Sequence, residues 1–386
     1  MASSKTTAND DAQRLEFSVD RDAMLAEITA AARASDTKST QPILTHLLLD
    51  ASVAGTVTIT STDLNRSIRT ECPAQVAISG TVAIPAQKFL SYLKLLPSGP
   101  VHLKGLANDH VQIHAGKSRT RMASRAASGF PAVSTPSANS VQLSSRVLRT
   151  LIRQSIFAVA TADDRYLLKA ALLLLRPDRA GMVATDGHRL SFVVVPHDGI
   201  SVQGVQRFLL PRECLTDLLS LLSATKEEAV SFSEDDATLY FQIGPRLLSV
   251  RKLAGRFPDY EAILPKGMPN PLVFRSAELM TSIQRVLEFS DERSNGVKFH
   301  LANNTLRISS SAPDRGESEE TLPVSYSAEP ITIGFNGNYL VEFLRTMGDK
   351  GSMRLSLRDS TSAGVLIPEN MSAEFQQQYV VMPMRV

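Results

Sequence analysis

Cysteine is scarce: Cys72 and Cys214 are the only two in 386 residues, with no CxxC pair and no Cys/His cluster. That argues against a disulfide scaffold or a zinc site and fits a reducing cytoplasm. No apolar run approaches the roughly 20 residues of a membrane span. Polar residues from Met1 to Gln13 lack the apolar core of a signal peptide and read as a disordered extension. Walker A and GxGxxG patterns are missing, so no phosphate loop is indicated. Neither sign of charge dominates, with 41 basic and 39 acidic residues for a net +2. Any contact with nucleic acid therefore depends on where the charges sit, not on their sum. What remains is an ordinary globular composition, 43% hydrophobic and 21% charged, in a chain long enough for two to four domains.

The chain repeats one plan three times. Strand-like Leu15–Val19, Val141–Leu143 and Leu272–Phe274 each give way to a helical pattern, through Met24, Leu25 and Ile28, then Val147, Leu148, Leu151 and Ile152, then Leu279, Met280 and Ile283. A second helix start recurs at Pro85 and at Pro211, 126 residues on, with Asn336 as a predicted N-cap in the third copy. Gly129-Phe130-Pro131 and Arg256-Phe257-Pro258 mark matching ends, 127 residues apart. A period near 125 residues is too long for a solenoid and predicts three α+β domains, each with two helices and many short strands. The expected segments are 1–13 (extension), 14–137, 138–267 and 268–386.

Thr185-Asp186-Gly187-His188-Arg189-Leu190 sits between two apolar runs and predicts a tight turn. A degenerate copy, Thr62-Asp63-Leu64-Asn65-Arg66, lies 123 residues earlier. The chain closes on an apolar strip, Tyr379 to Val386, that needs a packing surface. Basic residues Arg146, Arg149 and Arg153 follow a single helical stripe, and Arg165-Tyr166 comes after it. Lys38 and Arg212 occupy comparable places in the repeat. For one helix a solvated face is the simplest account. Recurrence on equivalent helices suggests a track for phosphates, without the aromatic neighbours that single-strand stacking needs.

Together, Val183–Leu190, Gly255-Arg256-Phe257-Pro258-Asp259-Tyr260, Gly334-Phe335-Asn336 and the terminal strip resemble the bacterial β sliding clamps, processivity subunits of DNA polymerase III. The resemblance runs from about Leu15 to Val386. It implies a DNA clamp fold of three similar domains, with two helices on curved antiparallel sheet in each, assembled as a ring-shaped head-to-tail homodimer. The implied function is to encircle duplex DNA without sequence preference and tether the polymerase catalytic subunit, the clamp loader and other clamp-binding-motif proteins. It implies no catalysis, no cofactor, no metal, no membrane, and a cytoplasmic, nucleoid-associated location.

Carried over residue by residue, the partner-peptide cleft would comprise Leu168, Thr185, Gly187, His188, Arg189, Leu190, Pro258, Ile263, Thr361, Ala363, Val380, Met382, Pro383, Met384 and Arg385. DNA-facing residues would be Lys38, Arg146, Arg149, Arg153, Arg165, Tyr166 and Arg212. The dimer contact would use Lys117, Arg119, Arg121 and Met122 against Phe289, Glu317, Glu319 and Glu320. The family pattern is departed from at Leu167, where a tyrosine is usual, and at Thr120, Ala262, Ser294, Thr361 and Ala363. The alternatives are a specialised paralogue or protein-binding scaffold, and an enzyme using Asp186, His188 and Ser191. The last lacks a glycine-flanked serine elbow and a third orienting group.

Overall fold

Strand is the commonest regular element of this chain, and every strand pairing among the described residues is antiparallel. The structure, a computed structural model, describes residues 15–385 apart from 54, 137–138, 163–164, 265–266, 268–270, 349–350 and 370–374. The N-terminal extension and Val386 lie outside the described residues. Six α-helices are described: α1 (Arg21–Ala31), α2 (Ala86–Leu95), α3 (Ser145–Arg153), α4 (Arg212–Ser223), α5 (Ser276–Leu287) and α6 (Gly337–Met347). They fall two to each copy of the repeat, at the places the sequence predicts.

Helix starts follow capping chemistry. The Asp20 side chain accepts from the amides of Asp22 and Ala23 at the start of α1. Asn336 accepts from Asn338 and Tyr339 at the start of α6, as its position in the repeat predicts. Pro85 is the residue just before α2, completing the strand Thr81–Pro85 and fixing φ at −59° for entry into the helix. The helices bury the expected stripes: Met24 and Ile28 on α1, Leu148, Leu151 and Ile152 on α3, Leu279 and Ile283 on α5.

The chain folds as two compact units, Met1–Ser145 with Thr216–Lys252, and Arg146–Leu215 with Leu253–Val386. In the first, a five-stranded sheet ends on Ser118–Ala123, and an eight-stranded sheet joins four strands of the first repeat to four of the second. The join is Arg66–Pro73 against Arg246–Arg251, in the register Arg66↔Val250 and Ser67↔Ser249. In the second unit, the corresponding eight-stranded sheet joins Arg189–Pro196 to Gln376–Val381, with Arg189↔Val381 and Leu190↔Val380. A four-stranded sheet ends on Gly316–Pro323. Sheet hydrogen bonding therefore runs through the repeat boundaries instead of stopping at them.

Cores lie between sheet and helix. In the second unit Phe343 stacks on Tyr379 with centroids 4.5 Å apart, and Phe299 meets Phe335 edge-on at 5.5 Å. Each of these rings is fully buried, and burial of one such ring contributes about 1.5–3 kcal/mol.

Candidate functional site

The hairpin Thr185–Leu190 is an Asx-type turn closed by its own side chains. Asp186 Oδ1 accepts from the amides of His188 and Arg189 at 3.0 and 3.1 Å. Thr185 Oγ1 accepts from the Gly187 amide and donates to the Arg189 carbonyl. Gly187 has φ +88°, a conformation that calls for glycine, and a Cβ there would stand 2.9 Å from an Arg165 guanidinium nitrogen and displace the tip of that side chain. Asp186 Oδ2 then accepts from Arg189 Nε at 2.9 Å, and the other arm of Arg189 reaches Glu342 on α6. The guanidinium lies 4.2 Å from the Tyr339 ring centroid and 5.7 Å from that of Phe157. Burial opposes its charge, but Tyr379, Glu342 and Asp186 hold its pKa above the ordinary arginine value.

The earlier copy repeats these bonds one for one. Asp63 Oδ1 accepts from the amides of Asn65 and Arg66, and Thr62 Oγ1 serves Leu64 and the Arg66 carbonyl. Leu64 takes the glycine position at φ +75°. Arg66 bonds Asp63 at 2.9 Å and reaches Asp217 on α4, where Arg33 also binds at 2.9 Å. Asp217 and Glu342 are each the sixth residue of their helix. The same arginine-to-helix latch is thus built twice.

Above the second hairpin lies an apolar cluster of Leu172, Leu174, Val183, Leu190, Phe257, Tyr260 and Val380, with Phe192, Leu209, Ile263, Leu264 and Ala363 partly buried against it. Of the expected cleft residues it includes Leu190, Ile263, Ala363 and Val380. Leu172, Leu174, Phe192, Leu209 and Tyr260 were missed, although i, i+2 alternation puts Leu172 with Leu174 on one face of Ala170–Arg176, and Leu190 with Phe192 on one face of Arg189–Pro196. The C-terminal strip packs here: the Met382 amide bonds the His188 carbonyl and the Met384 amide bonds Gly334, both at 2.8 Å. Gly187, His188, Pro258, Thr361, Met382 and Arg385 are exposed, while Pro383 and Met384 are half-buried. Thr185, Arg189 and Leu168 are buried.

The other predicted residues divide. Arg146 and Arg153 on α3 are exposed, as is Lys38, and Arg149 is half-buried. Arg165 covers Gly187, and the Tyr166 hydroxyl donates to the Ala254 carbonyl at 2.6 Å. Arg212 is half-buried, and its Nη1 donates to the carbonyls of Ile156 and Val159, at 2.7 and 2.9 Å. Ser118–Ala123 and Gly316–Pro323 are sheet edges, with Lys117, Arg119 and Arg121 exposed on or beside the first and Glu317 and Glu319 on the second. Phe289 is 37% exposed. Met122 is buried in its own unit, and Glu320 turns inward to Ser282 and Arg285 of α5, both at 3.2 Å.

Chemistry is poorly served at the hairpin. Asp186 is spent on the turn and on Arg189, and Ser191 is fully buried with its hydroxyl donating to the Gln154 carbonyl. Among the described residues no cluster of three or more His, Cys, Asp or Glu side chains could hold a metal ion.

Comparison with known proteins gives the frame for this geometry. The chain matches in succession the models of the DNA polymerase III beta subunit N-terminal domain over residues 15–134, its central domain over 142–259 and its C-terminal domain over 261–385. Beta sliding clamps of Vibrio cholerae and Proteus mirabilis are 30% and 31% identical, over 96% of this chain and 100% of each relative. The crystal structure of the DNA polymerase III subunit beta from Pseudomonas aeruginosa aligns with TM-score 0.87 at 28% identity, covering 96% of this chain and 100% of that one. The C. crescentus beta sliding clamp aligns with TM-score 0.89 at 25% identity, covering 97% and 100%. A further Pseudomonas aeruginosa clamp structure is bound to griselimycin. The repeated hairpins, the sheets that cross repeat boundaries and these matches agree: the chain belongs to the beta sliding clamps, the beta subunits of DNA polymerase III that act in DNA replication.

Proposed function

We propose that two copies of this chain close head to tail into a ring around duplex DNA, built from three similar domains spanning 14–137, 138–267 and 268–386. The observation that supports this most strongly is the pair of unpaired sheet edges. Ser118–Ala123 corresponds to Arg246–Arg251 and Gln376–Val381, and Gly316–Pro323 corresponds to Arg66–Pro73 and Arg189–Pro196. Two such edge pairs are joined within the chain, and the third pair is left for a neighbouring copy. Joining it removes the free edges that would invite uncontrolled strand addition. The exposed charges agree, with Lys117, Arg119 and Arg121 on one edge and Glu317 and Glu319 on the other.

Within the ring, Arg146, Arg149 and Arg153 of α3, with Lys38, face the duplex and meet phosphates without reading bases. Topology holds the ring on DNA, so a net charge of +2 is sufficient. The apolar groove over Leu190 and Val380 receives a short linear peptide from the polymerase catalytic subunit, the clamp loader or another partner, with Met382 and Met384 adapting to the anchors. The chain is a non-catalytic processivity subunit, working at the nucleoid in the cytoplasm. No described helix is long and apolar enough to cross a membrane.

The test is retention. Loaded on nicked circular DNA, the protein stays bound through gel filtration at moderate salt and is released when the circle is linearised. Equal loss from circle and line would refute encirclement.

A further inference from the structure

Where the second hairpin floors an apolar groove, the first floors a polar one. A cavity of about 300 Å³ lies over Thr62–Ser67, walled by Pro131–Ser134, Ala237-Thr238 and Ser249–Arg251. All of it belongs to the first compact unit. The registers make the comparison direct. Arg189↔Val381 and Leu190↔Val380 in one sheet correspond to Arg66↔Val250 and Ser67↔Ser249 in the other. The apolar pair that floors the peptide groove, Leu190 and Val380, is replaced by two facing serines.

Ser249 is 95% buried by its 5% exposure, lines this cavity, and its hydroxyl has no hydrogen-bond partner. A buried hydroxyl without a partner costs free energy unless a ligand or solvent completes it. Thr238 also lines the cavity, with its hydroxyl engaged by Tyr240, and Arg251 is exposed at the rim. Leu64, 52% exposed at positive φ, and half-buried Val133 supply a small apolar lip. The volume is at the lower end for ligand sites and suits two or three residues of extended chain.

We propose that this groove is a second docking site, for an acidic linear peptide whose carboxylate accepts a hydrogen bond from the Ser249 hydroxyl and pairs with Arg251. The two grooves then discriminate by floor chemistry: aliphatic and aromatic anchors are rejected where they would bury the serine hydroxyls unpaired, and carboxylates are rejected over Leu190 and Val380. This site goes beyond the clamp reading and does not depend on ring closure.

The test uses the full chain with leucine and valine methyl groups isotopically labelled for NMR. The probes are two blocked pentapeptides, acetyl-Gly-Ser-Asp-Ser-Gly-amide and acetyl-Gly-Leu-Gly-Leu-Phe-amide. The acidic probe is expected to shift the Leu64, Val133 and Val250 methyls saturably at low-millimolar concentration, leaving Leu172, Leu190 and Val380 unmoved. Arg251→Gln and Ser249→Val should each weaken it about fivefold to tenfold, the loss of one charge-assisted hydrogen bond. Valine at 249 copies Val380 of the other groove, and unchanged methyl spectra elsewhere show that both variants fold. No saturable shift at Leu64 and Val133, a shift there by the apolar probe instead, or an affinity indifferent to Arg251→Gln would each overturn the proposal. Retention on circular DNA is expected to stay at wild-type level in both variants, so the two readings fail separately.

Discussion

Replacing Arg66 with methionine isolates the cost of an unlatched carboxylate. Asp217 is 2% exposed at its side chain and is held by Arg66 and by Arg33, itself 31% exposed. Removing one partner of a buried pair costs about 3–5 kcal/mol, and the remaining Arg33 contact places Arg66→Met near the lower end, about 3 kcal/mol at neutral pH. Burial already pushes the Asp217 carboxyl above its ordinary value, against the pull of Arg66 and then Arg33. Losing Arg66 pushes it higher, at about 1.4 kcal/mol per pKa unit. The sign follows. A raised folded-state pKa contributes stability that is complete below the unfolded value, near 3.9, and is lost as pH rises through the folded value. The deficit of Arg66→Met relative to wild type should therefore be smaller near pH 4 than at neutral pH. Urea unfolding followed by circular dichroism at the two pH values measures it. Adding Asp217→Leu should recover most of the loss at neutral pH, because no buried charge is left. An equal deficit at both pH values, or no recovery in the double variant, would refute the reasoning.

Arg189→Met should lose less at neutral pH and show a weaker pH dependence. Its helix partner Glu342 is 42% exposed and rehydrates, so the ion pair is screened and the loss of about 1–2 kcal/mol comes mainly from the Tyr339 and Phe157 ring contacts. Gly187→Ala should cost about 1–2 kcal/mol from positive φ and displace Arg165, lowering affinity for a leucine- and phenylalanine-bearing peptide in a titration. His46 is buried, and burial, outweighing its bond to the Pro42 carbonyl, lowers its pKa, with Arg125 adding to the fall. Its stabilising share is full above about pH 6.5 and is lost as pH falls through the folded value, so His46→Gln should flatten the acid limb of a stability profile. Sedimentation should show the dimer weakening between low and high salt, since the charges on its two edges are exposed, and a constant dimer affinity would contradict that interface.

Much of the site was legible because it is local. Asp followed three residues later by Arg, twice, carries its own hydrogen bonds, and Asn336 caps α6 from sequence position alone. The parts that sequence hid are tertiary. Arg189 looks like a surface arginine until Tyr339, Phe157 and Glu342 arrive from more distant chain. In Glu317-Ser318-Glu319-Glu320 acids fall on both faces of the strand, so charge alone does not say that Glu320 turns inward to α5, on the face of buried Leu322, while Glu319 turns outward. Repeat boundaries were visible as composition, but the strand pairing across them depends on register, which no single segment encodes.

The two latches also explain why the third edge pair should behave differently. In the third copy the hairpin is tighter, running from Ala312 to Gly316 where the others run from Thr62 to Ser67 and Thr185 to Leu190. Its arginine, Arg315, is turned back onto Glu292. The sixth residue of α2, where α4 and α6 carry Asp217 and Glu342, is Ser91. Neither half of the latch is present for a junction between copies. What that junction has instead is exposed: Phe289, and the opposed charges of two sheet edges. A contact built from solvated charge and one aromatic ring can form and part without stranding a buried carboxylate, whereas opening either internal junction would strand Asp217 or uncover Arg189. The repeat is threefold in architecture but twofold in its buried electrostatics, so in the proposed ring the reversible joint would be the one between copies.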